Sequence, residues 1–254
     1  MKIAITRDVS SRFNECEITH IDRAPIDVRA ACAEHHEYVK ALKQLGCQVI
    51  ELPEEPDLPD SVFVEDTAFI LDEVAVITRP GADSRKPETE SIIRALSPYR
   101  PLIHVTDPAT VDGGDVLVLG KNIFIGISTR SNDASVRQIQ ELLDKYGYKV
   151  TGVEMHDCLH LKTAVTKVDE KTLLINPNWV DTFHFKDFDW IEVNPSEPFA
   201  ANCLPVEGAI IYPTAFPKTQ QRLEQKGYKM VTVNVAELAK AEGAVTCCSL
   251  IISQ

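Results

Sequence analysis

The chain has 254 residues, 44% hydrophobic and 25% charged, proportions that exclude a disordered tail, a fibre or a disulfide-dense mini-scaffold. Its 26 Lys and Arg against 38 Asp and Glu leave a formal net charge of -12, which repels phosphate backbones and argues against nucleic acid as a partner. No apolar run approaches the roughly 20 residues of a membrane span, MKIAITRDVS lacks a signal-peptide pattern, and seven unevenly spaced cysteines fit a reducing cytoplasm better than a disulfide framework.

Lys2–Ile5 is an apolar run that reads as a strand. Residues 10–26 are polar, have no clear period, and read as an inserted flexible flap. From Asp27 to Leu45, Val28, Ala31, Cys32, Tyr38, Val39, Leu42 and Leu45 form one apolar stripe at helical spacing, ended by Gly46. His35 lies on that stripe and His36 points outward; neither reads as functional. Gln48–Leu52 follows as a strand. Val62–Leu71 and Val74–Thr78 flank an Asp72-Glu73 turn and read as a hairpin, followed by Ser84 as an N-cap, a helix carrying Ile92, Ile93 and Leu96, and the strand Leu102–Thr106.

The same order returns from Asp112. A hairpin turns at Gly120-Lys121-Asn122, Asn132 caps a helix stopped by Gly147, and Lys149–Met155 is the closing strand. From His160 a hairpin turns at Asp169-Glu170-Lys171, DTFHFKDFD is irregular, and the strand near Ile191 closes the unit. From Asn202 a hairpin ends at Pro213, a helix occupies 218–226 before Gly227, and Met230–Asn234 is the strand. Ala244–Ser253 is left unmatched at one end and Lys2–Ile5 at the other. Paired, they make a fifth hairpin feeding the Asp27–Leu45 helix. Repeats of about 50 residues argue for one array rather than separate domains, and closure removes exposed sheet edges. The expected fold is α/β: a five-bladed α/β propeller of hairpin–helix–strand repeats around a central channel, one domain over 1–254.

In such a ring the residues opening each hairpin converge. They are Asp60, Glu65 and Asp66; Asp112 and Asp115; His160; Asn202; and Thr246-Cys247-Cys248. Cys247 reads either as a small buried hydrophobe or, beside His160, as a nucleophile. Cys158 and His160 with Cys247-Cys248 raise the question of zinc, but no CxxC pair exists, so no metal is expected. Carboxylates beside a thiol oppose its ionisation, which makes chemical sense if the substrate is a cation. A guanidinium matches carboxylates bidentately and has an electrophilic carbon. Arg85 and Arg130, at matching hairpin-to-helix turns, read either as solvated charges or as a clamp for a carboxylate at the other end of the same molecule. The substrate class is a small cationic amino acid of the arginine type.

LPDSVFVEDTA (58–68), VAVITRPGADSRKPE (74–88), DGGDVLVLG (112–120), IGISTRSN (125–132), HLKTAV (160–165), AANC (200–203) and TCCSL (246–250) together resemble the dimethylarginine dimethylaminohydrolases of the guanidine-modifying, or pentein, superfamily. The resemblance implies a five-bladed propeller and a cofactor-free hydrolase acting on C–N bonds of linear amidines. By it, Cys247 is the nucleophile toward an Nω-methylated arginine, and His160 protonates the leaving amine and then activates water to release citrulline. Asp112 would orient His160, Asp66 and Asp60 hold the guanidinium, Glu65 support them, Phe63 wall the pocket, and Arg85 and Arg130 bind the substrate carboxylate. Cys248 would point away from the channel if its strand is regular. RFNECEITHID aligns poorly with the family, so Ile18 stands as the substitute for a leucine closing over the substrate, and Glu242 occupies a position where relatives often carry Asp. An arginine deiminase would need an extra helical domain, an amidinotransferase an amine acceptor, and a non-enzymatic propeller would not need a thiol–imidazole pair. A homodimer is left open.

Overall fold

The computed structural model describes residues 2–253. In chain order, β1 (Lys2–Arg7) leads through α1 (Val28–Gln44) to β2 (Gln48–Leu52). Then come β3 (Ala68–Ile70), β4 (Ala75–Ile77), α2 (Thr89–Leu96) and β5 (Leu102–His104), and next β6 (Val116–Leu119), β7 (Asn122–Ile127), α3 (Asp133–Leu143) and β8 (Lys149–Glu154). The single turn α4 (Leu161–Ala164) precedes β9 (Val165–Lys167), β10 (Thr172–Ile175) and β11 (Asp189–Glu192). The chain ends with β12 (Leu204–Val206), β13 (Ala209–Pro213), α5 (Pro217–Gln225), β14 (Met230–Val233), the single turn α6 (Ala236–Ala239) and β15 (Leu250–Ser253).

These strands form an α/β fold of five small sheets, ordered β3-β4-β5, β6-β7-β8, β9-β10-β11, β12-β13-β14 and β15-β1-β2. In each, the hairpin pair is antiparallel and the third strand parallel to the middle one. The fifth sheet follows the same rule with its hairpin drawn from both termini: Lys2 pairs with Ser253 and Ile5 with Leu250. Middle strands are buried along most of their length, Ala209–Pro213 completely, with exposure confined to end residues such as Asn122 of β7. Local chemistry sets the helix starts. Asp27 accepts the Arg29 and Ala30 N–H groups, and Asn132 accepts that of Ser135.

Apolar burial is concentrated at the seams between successive sheets. Ile3, Ile5 and Ile252 meet Val64, Ala75 and Ile77; Phe69 and Val76 meet Ile123 and Ile125; Leu117 and Phe124 meet Val165 and Leu173. Leu174 and Ile191 meet Ile210 and Tyr212, and Val206 and Ile211 meet Ala4, Tyr38 and Leu42.

Several expected strand starts are turns instead. Val62–Leu71 is not a continuous strand: Val64–Thr67 is a 3-10 helix and only Ala68–Ile70 pairs. Asp112 precedes a 3-10 turn at Gly113–Asp115, His160 precedes α4, and Ala244–Ser249 is a turn before β15. Apolar residues that face the core through a tight turn mimic strand alternation in the sequence. Ser84 does not cap α2; a 3-10 helix over Asp83–Glu88 intervenes, with Pro87 inside it, and α2 begins at Thr89. Cys32 is exposed rather than part of the α1 stripe, and Thr182–Phe185 forms a 3-10 turn in the irregular stretch. No described helix is long and apolar enough to cross a membrane.

Candidate active site

The turns that precede the first strand of each sheet bring their polar side chains together. Asp60, Phe63 and Asp66 from before β3, His160 from before β9 and Cys247 from before β15 line one cavity of about 20 Å³ with Arg85, Arg130 and Gly243. That is room for a single water molecule. A separate groove of about 520 Å³ beside α1, at Cys32 and His36, contains none of these groups.

His160 Nε2 lies 3.1 Å from Asp112 Oδ2. Asp112 is fully buried, accepts the Gly81 N–H at 2.9 Å through Oδ1, and faces Arg130 Nη1 at 3.6 Å. The imidazole rests on Gly114, where a Cβ would come within 2.6 Å of Nδ1, so the second glycine of DGGD makes room for the ring. Asp66 accepts the Gly114 N–H at 2.9 Å and Arg85 Nη1 at 2.6 Å. Burial opposes the imidazolium, but Asp66, Asp115 and Asp112 outweigh it and lift His160 to about 9. Burial likewise opposes the Asp66 carboxylate, yet His160 and Arg85 hold it at about 2. Burial, then Glu65 and Asp66, push the Cys247 thiol well up. The site therefore combines an imidazolium, an ionised Asp66 and a neutral thiol.

Arg85 is buried between two carboxylates. Nε and Nη2 donate to Glu88 at 3.0 and 2.8 Å, and Nη2 also reaches the carbonyls of Asp60 and Phe63, both at 3.3 Å. With one Nη1 hydrogen on Asp66, the expected grip on a substrate carboxylate rests on the other Nη1 hydrogen. A single cation does not offset burial for both acids: Asp66 stays ionised while burial raises Glu88 to about 7. Arg130 donates to the Thr19 hydroxyl at 2.8 Å. Asp60 accepts the Glu17 N–H at 3.1 Å, and burial raises its pKa.

Two expected pocket contacts face elsewhere. Glu65 is pinned by Lys162 Nζ at 2.6 Å and the Thr246 hydroxyl at 2.7 Å, behind the cavity rather than in its wall. Ile18 packs, half-buried, on the cluster containing Phe13 and Phe63, while Glu17 is the segment's cavity-lining residue. Cys248 is fully buried and absent from the wall, as expected, but the cause is a turn and not strand alternation. Asp115 is structural: it accepts from Ser128, Ser131 and the Leu161 N–H.

Glu17, Lys162 and Glu242 were not singled out by the sequence as parts of the site. Glu242 alone had a signal, its departure from the family pattern. Asp66, Asp112 and His160 place ligand-type atoms within 4.8 Å of one another, the one such set among the described residues. With His160 carrying a proton at neutral pH and Arg85 and Arg130 on the two carboxylates, this donor set favours a proton over a metal ion.

The family sequence model described as N,N dimethylarginine dimethylhydrolase, eukaryotic, matches residues 17–253. An N(G),N(G)-dimethylarginine dimethylaminohydrolase of Pseudomonas aeruginosa is 35% identical over 226 residues, covering 88% of this chain and 89% of that protein. One of Streptomyces coelicolor is 35% identical over 250 residues, covering 98% and 96%. The solved structure of a cysteine-to-serine variant of the Pseudomonas aeruginosa enzyme with citrulline is 32% identical, has a TM-score of 0.92 and covers 98% of each chain.

Proposed function

This chain belongs to the dimethylarginine dimethylaminohydrolase family, and on that premise we propose that it hydrolyses Nω-methylated arginines to citrulline and dimethylamine or methylamine. The observation that carries the reading is a buried thiol and a carboxylate-held imidazole sharing one cavity with Asp66. We read the five sheets as blades of a five-bladed α/β propeller, one domain closed by β1 and β15, with the cavity in its central channel. The order of the seams supports this, since each sheet packs on the next and the fifth on the first.

A neutral thiol is a poor nucleophile. A guanidinium entering between Asp66 and Cys247 brings the positive charge that offsets Asp66 and Glu65 and lowers the thiol pKa at the moment of need. As the guanidinium binds, the thiol proton passes to solvent, and Cys247 Sγ, now a thiolate, forms a bond to the guanidinium carbon. The tetrahedral adduct breaks its bond to the substituted nitrogen, which leaves as the amine with the proton of His160, and a thiouronium remains on sulfur. Neutral His160, held by Asp112, next takes a proton from water as its oxygen bonds to the same carbon. Collapse breaks the carbon–sulfur bond, the hydroxyl proton of the adduct passes to the departing sulfur, and the water oxygen becomes the ureido oxygen of citrulline. Asp66 and Asp60 hold the cationic end, Phe63 walls it, Glu65 supports the floor through Lys162 and Thr246, and Arg130 with the free Nη1 hydrogen of Arg85 takes the carboxylate. The chemistry uses only these side chains and water.

The cavity is too small for an amino acid, so residues 10–26, with Glu17 and Ile18, are the flap that yields for entry. The uneven cysteine spacing supports a cytoplasmic setting, and a homodimer is the assembly that light scattering would test. Citrulline release is to be followed with asymmetric dimethylarginine, monomethylarginine and arginine, with Cys247→Ser as the blank. Turnover of the methylated substrates, lost in the variant, is expected. Turnover of arginine alone would move the chain to deiminase chemistry, and silence on all three from folded protein would overturn the hydrolase.

A further inference from the structure

Resting on the function just proposed, we propose that Glu242 is a positioning residue that latches the 17–20 segment over the substrate. Its carboxylate accepts the N–H of Thr19 at 2.7 Å through Oε2 and that of His20 at 2.7 Å through Oε1. The partners are 223 and 222 residues apart in sequence, so this contact is a specific tertiary one.

The backbone at Glu242 argues that the carboxylate is there for a purpose other than the turn. The Glu242 N–H bonds to the Ala239 carbonyl and the Gly243 N–H to that of Leu238, the two bonds of a Schellman close after α6. Glu242 occupies the left-handed position of that motif, with φ +59. Glycine is favoured there because a side chain crowds the backbone. The following glycine is spoken for separately: a Cβ at Gly243 would come within 2.3 Å of the Phe63 ring. A side chain thus sits where the helix ending prefers none, and what it contributes is an anion aimed at two amides.

The other fastenings of the segment are of a different kind. Glu17 N–H binds Asp60 and the Thr19 hydroxyl binds Arg130, two groups the substrate is expected to claim. The Glu17 carboxylate takes the Ser84 hydroxyl at 2.6 Å. As substrate enters, the bonds to Asp60 and Arg130 are exchanged for bonds to the ligand. The two amides on Glu242 touch no substrate-binding side chain and persist in the loaded site. Glu242 therefore stabilises the closed, loaded state, and its loss is felt mainly in KM.

Glu242→Gly separates this role from a structural one, since it relieves the left-handed residue while deleting the latch. Its Tm should equal or exceed that of the parent. Its KM for asymmetric dimethylarginine should rise about tenfold or more while kcat changes by less than about threefold. Hydrogen exchange of the Thr19 and His20 amides should lose protection in the same variant, and Glu242→Asp should restore part of both effects. A KM within about twofold of the parent, together with unchanged protection of those amides, would overturn the latch. Failure of the function reading looks different: no methylarginine turns over in the parent, yet amide protection still follows residue 242.

Discussion

His160 and Cys247 place opposite demands on the same buried field. Asp66 sustains the imidazolium and opposes the thiolate, so the pair waits for a cation rather than standing as a preformed ion pair. The raised His160 pKa also links folding to pH. With about 9 in the folded chain against an ordinary 6.5, the folded state binds the extra proton between those values. Its stabilising contribution is complete below pH 6.5 and is lost as pH rises to 9, on the order of 3 kcal/mol in all. Glu88 and Asp115, raised to about 7 and 6, finish titrating near the bottom of that window, and the buried thiols act above it. Melting temperature should therefore fall between pH 7 and 9, and His160→Gln should flatten that slope. An unchanged slope in the variant would mean that His160 titrates near its ordinary value. At this scale the sequence was informative about proximity: Asp66, Asp112, His160 and Cys247, each in a short motif ahead of a first strand, do come together. Glu17 and Glu242 could not be read that way, because each acquires its partner across the whole chain.

The elements that build the site are the tight turns ahead of each first strand, and these were the least visible part of the fold. Val62 and Val64 alternate like strand residues, yet both are buried by a turn. The hairpins themselves were legible, with Gly120 and the Asp169–Lys171 turn correctly dividing β6 from β7 and β9 from β10. Because a turn positions its side chains through close backbone approach, its glycines should be the sensitive residues. At Gly114 a Cβ would lie 2.6 Å from His160 Nδ1 and 2.9 Å from Asp66 Oδ1, neither free to retreat. Gly114→Ala should cut kcat/KM by about 100-fold, as a displaced imidazole loses its line to the reacting carbon. Gly120→Ala is the comparison: it adds a Cβ in open space at φ +60, so it should cost about 1 kcal/mol of stability and leave kinetics alone. Steady-state kinetics and melting of the two variants decide the point, and equal kinetics would mean that the Gly113–Asp115 turn gives way without moving His160.

For the whole molecule, the pairing of β1 with β15 was readable because the two chain ends each had a strand with no partner nearby. Their pairing gives the fifth sheet the same make-up as the other four, an antiparallel pair with a third, parallel strand. Leu250 and Ile252 are buried with Ile3 and Ile5 at the seam with the next sheet, so deleting residues 250–254 should remove the first strand of the fifth sheet and yield no folded enzyme. A circular permutant makes the complementary test. Lys2 and Ser253 are register partners, which places the ends side by side for a linker of about four Gly and Ser residues. The new ends belong at the exposed Glu207-Gly208 turn between β12 and β13, where both residues have positive φ and neither lines the cavity. Every sheet and seam is then retained while the strain of that turn is released. The permutant should fold, melt within about 10 °C of the parent, and keep kcat/KM within about threefold. A soluble permutant without activity would show that the register of the fifth sheet depends on free ends. An unfolded one would show that the β12–β13 hairpin must form before β1 and β15 can pair.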